Sequence, residues 1–150
     1  MSVLRDEPYG RCNFLVALGG GAEPASVVAG FAEVSGLGLE VQYAEYRNGN
    51  DRQGTVRKVP GLHRVHDVTL KRGVIGSTDL FEWLRRVADG VPDPRDVTIT
   101  LLDQAREPVL EFRLLRAQPR RWSGPSLDAT SGTSVAMEEL VLTAEGLRLE

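Results

Sequence analysis

The sequence predicts a mainly β protein: an antiparallel β-barrel or sandwich with one α-helix and one long extended hairpin. Apolar or alternating segments separated by turn residues recur along the chain, which is typical of strands. A single segment has helical periodicity, and helices do not alternate with strands, which favours an antiparallel over a parallel sheet. The 150 residues are enough for one core. No repeat or linker divides them, so we expect one domain over residues 1–150.

The strands outside the hairpin are predicted from short apolar runs. The first run, at 12–18, is followed by a Gly-rich turn at 19–26. Further strands are expected at 96–102, 108–117 and 134–143, for a total of six or seven strands. The segment Pro119–Gly124 is expected to interrupt the sheet, and Glu145–Leu147 is expected to end the fold.

The extended hairpin is predicted over about 39–72. Apolar residues alternate with polar or small ones from Leu39 to Tyr43, which indicates a strand. The segment 48–54 is polar and rich in turn residues. Pro60-Gly61 is expected to be a second break, and 63–72 is expected to be the returning strand.

One helix is predicted over about 78–89. Ser77 or Thr78 can cap its start, and acidic residues suit its first turn. Gly90 and Pro92 are expected to end it. One apolar stripe follows the helical spacing: Leu80, Trp83, Leu84 and Val87.

Composition excludes several classes of function. The formal net charge is −3, so the chain as a whole is not steered to nucleic acid or to an anionic membrane. Cys12 is the single cysteine, so no internal disulfide is possible, and its apolar neighbours predict a buried structural thiol. The polar N-terminal segment is not a signal peptide, which favours synthesis in the cytoplasm.

Candidate chemical groups do not assemble into a site in the sequence. His63 and His66 would point to opposite faces of a strand, and a metal site needs three or four ligands. Cys12 has no neighbouring base, and the glycines at 19–21 lack the residues of a phosphate loop. Arg120-Arg121-Trp122 is better interpreted as a loop or subunit contact than as a nucleic-acid site. We therefore predict no catalytic, metal or cofactor site, and no enzyme.

Two later strands have apolar residues on both faces. In 108–117 these are Val109 and Leu115 on one face, with Leu110, Phe112 and Leu114 on the other. In 135–143 they are Val135, Met137 and Val141 on one face, with Ala136, Leu140 and Leu142 on the other. Strands of a small barrel usually bury one face. A partner subunit covering the second face is one explanation. Partial cover by the helix is the other.

Several segments together resemble the phage tail tube family of contractile tails, which includes the inner tube proteins of phage-like contractile injection systems. They are FAEVSGLGLEVQYAEYRNG, KVPGLHRVHDVTLKRG, LFEWLRRV and AQPRRWSGPSLDATSGTSVAMEELVLTAEGL. The family is structurally similar to the tube protein of type VI secretion. The resemblance implies a β-barrel subunit. Six subunits would close a ring, and rings would stack into a hollow tube that sheath contraction drives through a target membrane.

The same resemblance implies partners and contact residues. The partners would be copies of the chain, the sheath, baseplate and spike proteins, and cargo in the lumen, within an assembled particle. The hairpin would cross subunit boundaries, with its tip near 48–58 meeting the next ring. The predicted interface residues are Tyr43, Glu45, Tyr46, Arg47, Asn48, Asp51, Arg52, Arg57, Lys58, Lys71 and Arg72. Two alternatives stay open: a tube-initiating paralogue at the baseplate–spike junction, and a small-ligand-binding β-barrel.

Overall fold

The computed structural model describes residues 2–19, 27–130 and 132–150. These residues form ten strands and one helix. In chain order they are β1 (Phe14–Leu18), β2 (Val27–Ala29), β3 (Glu33–Ser35), β4 (Leu39–Tyr46), β5 (Arg57–Val65), β6 (Val68–Gly73), α1 (Asp79–Ala88), β7 (Arg95–Leu102), β8 (Pro108–Ser123), β9 (Met137–Thr143) and β10 (Gly146–Leu149).

Eight strands form one antiparallel sheet in the order β2-β1-β7-β8-β9-β6-β3, with β10 also paired to β8. The 16-residue strand β8 is the common element. Its first part pairs with β7 and β10, and its last part pairs with β9. Because one long strand belongs to both halves, the sheet curls around the core and forms an open barrel. The predicted mainly β fold with one helix is confirmed.

A bulge bends β8 near its middle. Arg116 has φ 50°, in the left-handed region, and the register with β7 shifts at this point. The Arg116 backbone N–H donates to Asp96 Oδ1 at 3.0 Å, so the amide displaced from the ladder keeps a partner. Bulges of this kind increase local twist, which helps one strand turn from one half of the sheet into the other.

The helix α1 covers the core through Leu80 and Trp83, which are buried. Trp83 Nε1 donates to the Asp93 carbonyl at 2.8 Å, and the Arg95 guanidinium lies 4.5 Å from the ring centroid. The tryptophan therefore fills the core without an unsatisfied donor. Other fully buried side chains pack in the same cluster, among them Leu70, Leu114, Leu140 and Leu142. The predicted helix is confirmed at Asp79–Ala88, although the Thr78 side chain does not cap it and donates instead to Glu82 Oε1 at 3.0 Å.

Part of the second apolar face is covered within the chain. Leu102, Val109 and Val141 are buried although they lie outside the main core cluster. The N-terminal segment contributes to this cover, since the Val3 N–H donates to the Val109 carbonyl at 3.0 Å. A partner subunit is therefore not needed to bury these three residues.

Several predicted boundaries are wrong. The returning strand of the hairpin is β5 and ends at Val65. The following strand, β6, pairs with β3 and β9 in the main sheet. Pro60-Gly61 lies inside β5, and most of Pro119–Gly124 lies inside β8. Both prolines occur where the strand register shifts, so neither has to donate to a regular ladder.

Other predictions near the chain ends also differ from the structure. Cys12 is exposed, because β1 begins two residues later, at Phe14. The chain does not end its fold at Glu145–Leu147, since β10 adds a further strand. Most of the predicted Gly-rich turn, 20–26, lies outside the described residues. No helix among the described residues has the length and apolar character needed to cross a membrane.

Candidate interaction site

The hairpin of β4 and β5 stands apart from the main sheet. The two strands pair only with each other and form a separate two-stranded sheet. Every residue of both strands is exposed except Val65, at the base. A two-stranded hairpin is at best marginally stable in water by itself. A hairpin this exposed is therefore a candidate for contact with another protein surface.

One face of the hairpin is apolar. Leu39, Val41 and Tyr43 alternate along β4, and Tyr43 lies opposite Pro60 of β5. Opposed residues in a ladder share a face, so these four side chains form one surface, which we call the apolar face. Its three large members are all exposed. Contiguous exposed apolar surface is uncommon on monomers and indicates a binding site.

The tip loop between the strands is held by its own side chains. Arg47 donates from Nε to the Gln53 carbonyl at 3.2 Å and from Nη2 to the Asp51 carbonyl at 2.9 Å. Asp51 Oδ2 accepts from the Asn48 backbone N–H at 3.1 Å, and the Tyr46 hydroxyl donates to Asn48 Oδ1. Because these bonds cross the loop, the tip has a defined shape although it is polar and exposed.

Other charges near the tip are available for external contacts. Arg52, Arg57 and Lys58 are exposed, and none of their side chains has a hydrogen bond or ion pair within the described parts of the chain. Arg57 lies opposite Tyr46, and Lys58 lies opposite Glu45. The tip region therefore presents three free cations on an ordered loop and strand end.

The base of the hairpin requires glycine. Gly36 has φ +88°, and a Cβ there would lie 2.2 Å from the Asp67 carbonyl oxygen. At Gly38 a Cβ would lie 2.6 Å from His66 Nδ1, and the His66 N–H donates to the Gly38 carbonyl at 3.0 Å. Gly36 thus packs against the backbone of the returning chain, and Gly38 packs against the His66 ring while its carbonyl accepts from the His66 backbone. This packing fixes the direction in which the hairpin leaves the barrel.

Arg72, predicted on sequence grounds to be an interface residue, lies inside the protein. It is 4% exposed and forms ion pairs with Glu138, also 4% exposed, and with Asp79. Trp122 Nε1 donates to the other oxygen of Glu138 at 3.0 Å. We call these four residues the Arg72 network. Lys71, its neighbour in β6, remains half exposed and pairs with Glu33 at 3.3 Å.

Burial and pairing act in opposite directions on the Arg72 network. Burial disfavours the charge on Arg72, but the hydrogen bonds and attraction of Asp79 and Glu138 outweigh it and raise the pKa of Arg72. Burial also tends to raise the pKa of Asp79. Hydrogen bonds from Arg72 and Ser77 outweigh that effect and hold the pKa of Asp79 below its usual range. Arg72 and Asp79 therefore both stay charged near neutral pH, and the network joins the start of α1 to β6 and β9.

Two of the remaining chemical candidates have structural partners beside the hairpin. His66 Nε2 lies 3.3 Å from Glu40 Oε2, and Arg120 pairs with Asp67 at 2.8 Å beside the hairpin base. Arg120 and Trp122 lie in β8 rather than in a loop. Across the described residues, no three His, Cys, Asp or Glu side chains gather in a group that could hold a metal ion.

Sequence reasoning missed the apolar contribution of the hairpin to a contact surface. Leu62 is 80% exposed, and Val59 and Val56 are also exposed. The earlier list emphasised charged and aromatic residues. The sequence signal for this surface was the presence of several aliphatic residues next to the polar tip of the hairpin, a segment too polar to be core.

Several solved structures share this fold. A chain in the anti-feeding prophage baseplate, solved with sixfold symmetrisation, has TM-score 0.86 and 25% identity over 97% of both chains. A chain in the sheath–tube complex of the extracellular contractile injection system PVC, in the extended state, has TM-score 0.83 and 30% identity, over 97% of this chain and 93% of that one. Hcp1 from Flavobacterium johnsoniae shares the fold at TM-score 0.51 and 17% identity, over 90% and 94%.

The chain belongs to the T4-like virus tail tube protein gp19 family, whose model matches residues 10–148. The resemblance inferred from the sequence segments is therefore confirmed, and with it the role of a tube subunit. The comparison with curated protein sequences gave no match.

Proposed function

We propose that the protein forms six-membered rings that stack into the hollow inner tube of a contractile injection particle or contractile phage tail. Family membership supports the tube role. The observation that carries the finer proposal is the hairpin, with both strands exposed and one face apolar. Contacts with neighbouring copies would bury that face and stabilise a hairpin that is marginal alone.

Two parts of the hairpin have different proposed roles. The apolar face packs against a neighbouring subunit, while the tip, with Arg52, Arg57 and Lys58, meets charges of the next ring. Rim charges of this kind contribute specificity and association rate more than affinity. Lys71, which is half exposed, remains a proposed interface residue. Arg72 is left out, because its burial gives it no surface to offer another chain.

The proposed partners follow from the assembly. The likeness to a chain of a sheath–tube complex supports a contractile sheath as the outer partner. Baseplate and spike proteins would meet the tube at one end, and cargo would occupy its lumen. The subunit would be made in the cytoplasm and would act within the assembled particle, where sheath contraction drives the tube through a target membrane. This role is mechanical, and we propose no enzymatic activity.

A tube-initiating paralogue at the baseplate is the second candidate. The observation that favours it is the likeness to a chain in a baseplate structure, at 25% identity over 97% of both chains. The number of copies in an isolated particle separates the two. A main tube subunit would be present in many stacked rings, while an initiating subunit would be present in one or a few.

Negative-stain electron microscopy of the purified protein tests the proposal. We expect rings whose class averages have sixfold symmetry, and stacks of such rings as the concentration increases. Monomers alone at high concentration, together with no rings in a lysate that contains assembled sheath, would contradict it.

A further inference from the structure

An open groove of about 600 Å³ lies between β3 and the β1–β7–β8 part of the sheet. We call it the Phe14 groove. Its walls are mainly apolar, and its rim carries the exposed thiol of Cys12 and the exposed hydroxyl of Ser35. Its lining includes Cys12, Phe14, Val34, Ser35, Leu37 and Phe112.

The groove is bordered by a strand with a free edge. Within the described residues, β3 pairs with β6 on one side and has no strand on the other. Val34 and Ser35 of this strand line the groove. An unpaired edge beside an apolar trough fits an added β-strand, whose backbone would pair with β3 while its side chains enter the groove. A bound helix or small molecule would leave the edge unsatisfied.

The hairpin of the same chain does not fill this groove. Leu37 lies in the groove wall, and β4 begins two residues later, at Leu39. The glycine-packed base then directs the hairpin away, since both of its strands are exposed. The chain thus carries a strand-lined apolar groove and, separately, an exposed strand pair with an apolar face.

The hairpin and the rest of the chain carry opposite net charges. Residues 39–65 contain five basic and three acidic residues, a net charge of +2. Because the whole chain has −3, the remainder carries −5. A basic hairpin from one copy is therefore attracted to the acidic body of another.

We propose that the Phe14 groove is the acceptor for the hairpin of a second copy, which lies in it as added β-strand with its apolar face against Phe14, Val34 and Phe112. The inference rests on the proposed function, and adds the site to which the hairpin binds. Donor and acceptor are different surfaces of one chain, so the contact is heterologous. Contacts of this type close into rings or continue as filaments, whereas a self-matched patch would stop at a dimer.

Cys12 reports directly on the groove, since it is the single thiol of the sequence. The test compares its rate of reaction with a maleimide in wild-type tubes and in dilute wild-type subunits. We expect the rate in tubes to fall by roughly tenfold or more, because a covered thiol is inaccessible to the reagent. Tubes in which Cys12 reacts as fast as in free subunits would overturn the inference.

A matched pair of substitutions tests the groove by its effect on assembly. Ser35→Arg places a long charged side chain on the groove rim, whereas Ser126→Arg makes the same change at an exposed loop position away from it. We expect the first to prevent tubes and the second to leave them. Normal tubes from Ser35→Arg would overturn the inference while leaving the proposed function intact. Failure of the wild type to form rings at all would refute both.

The identity of the occupant has its own test. Tyr43→Cys introduces a thiol on the apolar face, and Leu127→Cys introduces one at a similarly exposed position outside the hairpin. A short bifunctional maleimide applied to assembled material should join the first variant to Cys12 of another copy, and should not join the second. Protection of Cys12 without this hairpin cross-link would mean that a different surface fills the groove, and would overturn the assignment.

Discussion

Replacing Leu62 by serine separates assembly from folding. Leu62 is 80% exposed in the subunit and lies in β5 of the hairpin. Complete burial of a leucine side chain stabilises by about 1.5–3 kcal/mol. Since most of its surface is still exposed in the free subunit, we expect Leu62→Ser to weaken each subunit contact by about 2 kcal/mol, or roughly 30-fold.

Two quantities are measured: the concentration above which the protein sediments as tubes, and the free energy of unfolding of dilute subunits. The assembly concentration should rise by roughly 30-fold. The free energy of unfolding should change by no more than about 0.5 kcal/mol, because an exposed side chain loses little in the folded subunit. Leu127→Ser is the matched control, since Leu127 is 83% exposed and lies outside the hairpin.

Two results would refute this reasoning. An unchanged assembly concentration for Leu62→Ser would mean that the residue stays in solvent within the tube. An equal rise for both variants would mean that any loss of exposed apolar surface weakens assembly, so the hairpin would have no special role.

Three further predictions concern the stability of the subunit, measured by urea unfolding. Arg72→Met should lower the free energy of unfolding by about 3–5 kcal/mol, because it leaves the Glu138 charge buried and uncompensated. Adding Glu138→Leu should restore part of this loss. A double variant whose loss is the sum of the two single losses would contradict the pairing. Gly36→Ala should lower the free energy of unfolding by about 1–3 kcal/mol, because the position is strained and crowded, whereas Gly49→Ala, in open space, should lower it by under about 1 kcal/mol. Equal losses would contradict the close packing of Gly36 at the base of the hairpin. The lowered pKa of Asp79 means that its pairing stabilises the protein above the usual carboxyl pKa, so stability should decrease as pH falls below about 4, and less steeply in Asp79→Asn.

The helix was predictable because its signals are local. Capping residues, the apolar stripe and a terminal glycine all lie within one short segment, and the structure begins and ends α1 at Asp79 and Ala88. The family resemblance was also visible, since it depends on several segments in order rather than on any one pairing. Together these were sufficient for the fold class.

The strand boundaries were less predictable because turn residues do not always make turns. Proline and glycine at 60–61 are tolerated inside β5, where the strand register shifts and the hairpin has no further neighbour. The real change of direction occurs at His66-Asp67, where the sequence has no glycine or proline to mark it. The glycines that permit the close approach lie about thirty residues earlier, at Gly36 and Gly38.

The surface residues could be predicted only in part for a related reason. Arg72 follows an exposed-looking lysine and resembles a surface cation, but its partner Glu138 is 66 positions away in the chain. Arg47 was predicted to be an interface residue beside the tip, yet its side chain holds the loop backbone. Such pairings depend on which strands become neighbours, which local patterns do not specify.

The most direct test of the central claim, that the hairpin joins subunits into a tube, replaces the tip loop 47–56 by Asn-Gly. This dipeptide would close the last ladder pair, Tyr46 with Arg57, as a two-residue hairpin turn. Wild type and variant are imaged in parallel by electron microscopy at equal concentration. The account predicts stacked tubes from the wild type, and folded, soluble subunits or rings that do not stack from the variant. Stacked tubes from both proteins would contradict it.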